Sequence, residues 1–340
     1  MKIKFILLSI FLLLLFLFFV ILINQKYENY TEKEIQKEIK KIDKSKSIKN
    51  TPYTISTGLL IDSLIISNSI NEKENEYDIY YEEYKKRNDP TDKNYKNSFI
   101  FVNLDITNFE RLISDKLSPN NILCKTIHTY ETLKNKIKNK NIIYTGFTSL
   151  DRHNPSVIKD YKSFIHNVGK SPYKGTKNVI NVWRKNPDFP LLTIICRNKK
   201  ILDNVEIKDN KNINLINKYL TEEELTYEIN KNGIHICPSN HEGFGHYINE
   251  AMSAKSVVLY TNAVPMNEFY GIPIDINKNI NAVTNNGWCP YYQVDENHLE
   301  KIVRNIMNNK YDLEEIGNNS RIHYIRNDLK FKNRIKNIFV

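Results

Sequence analysis

From residue 163 onward, short apolar runs alternate with helix-like segments at a spacing that few folds accommodate. Residues 163–168 (SFIHNV) read as a strand, and 175–185 as a helix carrying Val179, Ile180, Val182 and Trp183. Residues 191–196 and 213–216 read as strands, and Thr221 with Glu224 forms a capping box that opens a helix. Residues 233–237 are a strand, 245–255 a helix and 256–260 the next strand. Buried strands of this length separated by single helices predict a doubly wound α/β domain with a parallel sheet. Such sheets bind ligands beyond the carboxyl ends of their strands. Chemistry is therefore to be sought in residues 169–176, 238–250 and 262–268.

The half before it, residues 56–150, is sparser. Residues 98–103 (SFIFVN) and 141–145 (NIIYT) read as buried strands with a helix-like stretch at 129–138 between them, a second α/β unit. Residues 123–128 (LCKTIH) suggest a further short strand, from which Lys125 or His128 would face the cleft. Residues 71–97 are rich in charge and tyrosine without an apolar period, and read as a surface excursion.

Residues 5–23 carry no charge and only Ser9 as a polar group. As a helix the run reaches about 28 Å, close to the hydrocarbon thickness of a bilayer. No small-residue cleavage site follows it, so it reads as a signal anchor rather than a removed leader. Lys2 and Lys4 before it predict a cytosolic amino end, a single-pass type II arrangement with the body on the non-cytosolic side. Residues 24–55 are charged and read as a solvated stem.

The formal charge is +10. Its lysines are dispersed and interleaved with acids, without the clustered stripe that nucleic-acid binding requires, so no nucleic-acid partner is expected. Four cysteines without a CxxC pair give neither a zinc site nor a redox motif. Cys196 and Cys237 end apolar runs, where a thiol serves as a small buried hydrophobe.

Residues 237–252 (CPSNHEGFGHYINEAM) concentrate the chemistry. A strand ends, glycines permit a tight turn, and a helix begins with its amide-rich end at the sheet's carboxyl edge, a ready phosphate site. Glu242 in the loop and Glu250 on the helix can accept hydrogen bonds from sugar hydroxyls. A second loop, 168–176 (VGKSPYKGT), brackets a turn with Lys170 and Lys174 before another helix start. Cations and helix-start amides there would stabilise charge on a departing phosphate. His166, inside the preceding strand, reads as structural, and His246 as a surface or packing residue.

Together these segments resemble the family 4 retaining glycosyltransferases of GT-B type, whose signature sets two glutamates at the spacing of Glu242 and Glu250 around a Gly-Phe-Gly. The flanks agree: Pro-Ser before, Glu-Ala-Met after, then a Val-Val strand and Asn267-Glu268. The resemblance covers residues 163 to 335. It implies a Rossmann-like nucleotide-sugar domain over 151–340, with 56–150 as a shortened acceptor-side domain. It assigns Glu250 to the ribose of the donor, Glu242 to the sugar and Lys174, with Lys170, to the diphosphate, with Glu242 and Lys174 as the catalytic residues. Gly169, Lys170, Lys174, Gly243, Phe244 and Gly245 would line the diphosphate. Lys170 stands where the family usually has arginine, which removes the bidentate fork, and Lys255 stands where glycine is usual.

The implied activity is transfer of a sugar from a nucleotide diphosphate donor to a hydroxyl of a glycan, lipid or protein acceptor, with retention. No Asp-x-Asp pair occurs in the chain, and a GT-B enzyme neutralises its leaving group with lysines and helix dipoles, so neither a metal nor a cofactor is expected. The alternative is a membrane-tethered carbohydrate-binding or scaffold protein that keeps the frame without catalysis. The short amino-terminal half and the Lys170 and Lys255 departures favour it; retention of both glutamates and of Lys174-Gly175 argues for an enzyme.

Overall fold

The structure, a computed structural model, describes residues 47–50, 57–70, 76–81, 98–114, 118–201, 210–278, 282–283 and 288–339. The apolar run at 5–23 and most of the stem lie outside them. Among the described residues no helix is long and apolar enough to cross a membrane.

The amino-terminal lobe contains β1 (Ser47–Asn50), α1 (Thr57–Ser69), β2 (Glu76–Tyr81), β3 (Phe99–Val102), α2 (Phe109–Ser114), β4 (Asn121–Cys124), α3 (Ile127–Lys136) and β5 (Asn141–Tyr144). The strands form one parallel sheet in the order β1-β2-β3-β4-β5. Successive side chains on a strand point to opposite faces. Phe99 and Phe101 accordingly pack with Ile65 and Ile66 of α1, while Ile100 and Val102 pack with Leu112 of α2 and Leu133 of α3.

Three expectations are corrected here. Residues 76–81 are a strand rather than a surface excursion, with Ile79 and Tyr81 buried; the alternation is there, but in only six residues it is drowned by flanking charge. Residues 47–50, read as stem, pair with that strand as β1. His128 is helical, not at a strand end, because Thr126 turns the chain by capping α3, its hydroxyl accepting from the Thr129 amide.

The second lobe runs β6 (Asp160–Gly169), α4 (Thr176–Lys185), β7 (Leu192–Cys196), β8 (Ile213–Ile216), α5 (Glu222–Lys231), β9 (Asn232–Cys237), α6 (His246–Ser253), β10 (Val257–Thr261), β11 (Ile272–Ile274) and α7 (Glu296–Met307). Its parallel sheet has the order β11-β10-β9-β6-β7-β8. The chain therefore leaves β6 toward one edge, then returns to β6 on its other side with β9. A short antiparallel pair, β12 (Ala282–Val283) and β13 (Pro290–Tyr291), lies between β11 and α7.

The last helix, α8 (Leu313–Phe339), belongs to both lobes. Phe331, Ile335, Ile338 and Phe339 are buried in the same core as Phe99 and Phe101 of β3. One core thus runs across residue 151, where the sequence reading draws its boundary. Phe147, between β5 and β6, stacks edge-on with Phe101, Phe244 and Phe331, so apolar contact runs continuously from one lobe to the other. Lys255, which stands where the resemblance expects glycine, has a φ of 62°, a left-handed backbone that a non-glycine residue adopts at some cost.

Candidate active site

The order of the second sheet fixes where a ligand can bind. Between β6 and β9 the direction of winding reverses, and the loops leaving the carboxyl ends of those two strands flank the place where a sheet of this kind takes its ligand. Each loop ends in a glycine that starts a helix in the left-handed region: Gly175 (φ 63°) before α4 and Gly245 (φ 105°) before α6. Neither helix start has a side-chain cap, whereas Thr126, Thr221 and Asp295 cap α3, α5 and α7. Uncapped amide donors with the positive end of a helix dipole favour an anion. Gly175 is also a close approach, since a Cβ there would lie 2.2 Å from the carbonyl oxygen of Pro238.

The two loops meet through charge. Lys174 Nζ donates to Glu242 Oε1 and lies over the Tyr247 ring, 3.9 Å from its centroid. Ser239 Oγ donates to the same carboxylate oxygen at 2.5 Å. Because that bond uses the only serine proton, the Tyr247 hydroxyl must donate to Ser239 Oγ, 2.6 Å away. Beneath them, His166 is fully buried. Its Nδ1 faces the Ile236 carbonyl at 2.8 Å, which can only accept, so the proton sits on Nδ1 and Nε2 accepts from Thr176 Oγ1 at 3.0 Å. Burial pushes this histidine down to about 4. It ties β6 to β9 and to the start of α4, the structural role expected.

Glu250 lies on α6, buried, and burial raises its carboxyl above the usual range against the opposing charge of Arg152. Arg152 Nη2 donates to Glu250 Oε1 at 3.4 Å, and Nη1 pairs with Glu222 at the start of α5. Sequence reasoning missed Arg152. It sits in the irregular stretch between β5 and β6, where no periodicity or motif singles out a residue.

The amino-terminal lobe closes the other side. Gly243 rests against Asn103, just after β3; a Cβ on it would come within 2.4 Å of that side chain. Asp62 of α1 accepts from Lys125 Nζ at 2.5 Å and sits 2.8 Å from His246 Nε2. Burial alone would raise the Asp62 carboxyl, but Lys125 and His246 together hold it below the usual range. His246 thus bridges the lobes, its Nδ1 3.0 Å from Ser149 Oγ, which is more than the packing role expected of it.

A cleft of about 430 Å³ lies between these surfaces, lined by Asp62, Asn103, Asp105 and Lys125 from one lobe and Arg152, Gly169, Lys174, Arg197 and Glu242 to Tyr247 with Glu250 from the other. Of the residues singled out from sequence, Gly169, Lys174, Glu242, Gly243, Phe244, Gly245, Glu250 and Lys125 converge on it. Lys170 is exposed and not among the lining residues. His128 is also not among them: its amide and that of Ile127 each donate at 2.8 Å to Glu268, a carboxylate of the other lobe that caps α3.

No protein-family model matches the sequence, and no curated protein does. Solved structures do. TarM from S. aureus, in complex with fondaparinux, alpha-GlcNAc-glycerol and UDP, superposes with a TM-score of 0.55 at 15% identity over 80% of this chain and 58% of its own. The pneumococcal O-GlcNAc transferase GtfA, in complex with UDP and GlcNAc, gives 0.51 and 14% over 82% and 59%. Anabaena Alr3699/HepE, in complex with UDP and glucose, gives 0.55 and 11% over 84% and 83%. The chain spans a little under three fifths of the length of the TarM and GtfA chains. At these identities the likeness is one of fold alone, the GT-B fold of these glycosyltransferases.

Proposed function

We propose that the chain is a glycosyltransferase that takes a sugar from a nucleotide diphosphate donor and delivers it to a hydroxyl acceptor. The observation that carries this reading is the pair of uncapped helix starts, Gly175 and Gly245, flanking Lys174 at the one place where the sheet reverses its winding. That arrangement suits a diphosphate. Glu250, tethered by Arg152, is set one helical turn further in, where the donor's ribose would lie, and Glu242 faces the sugar.

In the proposed reaction the acceptor oxygen bonds to the anomeric carbon as the bond from that carbon to the diphosphate oxygen breaks. The electron pair stays on the departing diphosphate, which takes the acceptor's hydroxyl proton. Lys174 and the helix-start amides offset the charge that develops on that leaving group. Attack from the face that the diphosphate leaves would retain the anomeric configuration, as in the family the motif resembles. No divalent ion is required by this scheme, and transfer in the presence of EDTA tests that part. The apolar run at 5–23 would tether the body to a membrane, on the non-cytosolic side by the lysines before it.

The bound UDP in the TarM, GtfA and HepE structures makes UDP-sugars the first donors to try. Release of UDP from UDP-glucose or UDP-GlcNAc, measured with and without an acceptor glycoside, tests the reading. Acceptor-dependent release is expected from the transferase, and binding without turnover from the inert scaffold.

A further inference from the structure

The amino-terminal lobe lines the cleft with Ile61 and Asp62 of α1, Asn103, Asp105 and Ile106 after β3, and Lys125 after β4. Its polar members are already engaged. Asp62 and Lys125 pair with each other, their side chains 3% and 1% exposed, and Asp62 also sits 2.8 Å from His246 Nε2. Asp105 Oδ2 faces His241 Nδ1 at 3.5 Å, and Asn103 is buried against Gly243. The two isoleucines are what this wall leaves open. Ile106 is 58% exposed, on a turn fixed by its own amide and that of Thr107, which donate to the Asn103 carbonyl at 3.3 and 2.9 Å. Ile61 is half-buried, and Leu64, three residues on and so on the same face of α1, is 49% exposed. An aliphatic strip thus begins inside the cleft and continues outside it.

We infer that the acceptor is an amphiphile, a hydroxyl compound whose hydrocarbon part lies on Ile61 and Ile106 and leaves the cleft over Leu64. The inference rests on the glycosyltransfer reading and names the acceptor class for the same cleft. Laying hydrocarbon on exposed aliphatic side chains removes the apolar surface of both from water. A wholly polar oligosaccharide would meet isoleucines where its hydroxyls need partners. A peptide would bring backbone amides and carbonyls that the same side chains cannot satisfy. A tether at residues 5–23 would hold the cleft beside a bilayer, where amphiphiles collect.

Saturation-transfer NMR titrations of the full-length chain with UDP present test this, using methyl, butyl and hexyl β-glucoside below micelle-forming concentrations. Kd should fall by about tenfold or more from the methyl to the hexyl compound, with the strongest saturation on the alkyl protons. Ile106→Ser and Leu64→Ser together should reduce that gain to about threefold or less. Leu191→Ser, which removes an exposed leucine at the amino end of β7, away from the cleft, should leave it unchanged. UDP binding by the variants reports that they are folded. Equal or absent binding of the three glucosides by protein that binds UDP, or a gain that survives the double substitution, would overturn the acceptor class while leaving the donor site standing. Absence of UDP binding in the unaltered chain would instead overturn the transferase reading, and the acceptor class with it.

Discussion

Lys174 and Glu242, on separate loops at the carboxyl ends of β6 and β9, form an ion pair across the point where the sheet reverses. Glu242 thus occupies the cation that the diphosphate would use. Removing the lysine and removing the glutamate should have opposite effects on nucleotide affinity. Lys174→Ala should weaken UDP binding by about tenfold or more, whereas Glu242→Gln should bind UDP at least as well as the unaltered protein and lose kcat instead. Calorimetric titration of UDP alongside initial rates checks both halves.

Arg152 anchors Glu250 from the stretch between the lobes. Taking away one partner of a buried pair leaves the other charge uncompensated, at a cost of about 3 kcal/mol. Arg152→Ala should lower the unfolding midpoint and raise the donor KM; the prediction is wrong if denaturant titration finds stability unchanged. Glu250→Gln, which keeps the shape, should be folded and defective chiefly in donor KM.

Two carboxylates that join the lobes give opposite pH dependences. Burial is the largest influence on Glu268 and pushes it up to about 7 from an ordinary 4.5, against the Ile127 and His128 amides. The folded protein then binds its proton more tightly than the unfolded chain, so its contribution is complete below about 4.5 and is lost as pH rises through 7. Asp62 is held below its ordinary 3.8 by Lys125 and His246 despite burial, so its contribution is present above that value and is lost in more acid solution. Between pH 5 and 8, stability of the unaltered protein relative to Glu268→Gln should fall; a difference that is flat or rises would contradict the assignment.

The motif that sequence reasoning relied on, Glu242 to Glu250 around a glycine turn, is where sequence and structure agree best. A strand, a turn and a helix start are contiguous in the chain, so their joint geometry is local and can be read from one segment. Lys174 was legible for the same reason. Arg152, Asp105 and Asp62 were not, because they come from irregular chain or from the other lobe, and only the folded cleft brings them to Glu250, His241 and His246. The strand at Glu76–Tyr81 was hidden by its charged flanks, and the sharing of α8 by both lobes cannot be read from any window of sequence. His128 illustrates the converse error: it lies near enough to the cleft in sequence order, but Thr126 and Glu268 turn its segment into a capped helix.

Gly175 offers a test of the loop's shape. Its φ of 63° and the Pro238 carbonyl 2.2 Å from any added Cβ mean that Gly175→Ala must displace one loop from the other. A loss of about 1–3 kcal/mol in stability is expected, with weaker UDP binding because Lys174 moves too. Unchanged UDP affinity in that variant would show that the two loops act separately.

The most direct test is binding of a nucleoside diphosphate to the full-length chain followed by thermal unfolding. At a concentration of about a hundred times its Kd, UDP should add about 2.7 kcal/mol to the folded state and raise the unfolding midpoint, and Lys174→Ala and Glu250→Ala should each shrink that rise. If UDP, GDP and ADP all leave the midpoint where it is, or if a rise persists undiminished in both variants, the junction of β6 and β9 is not a nucleotide-sugar site.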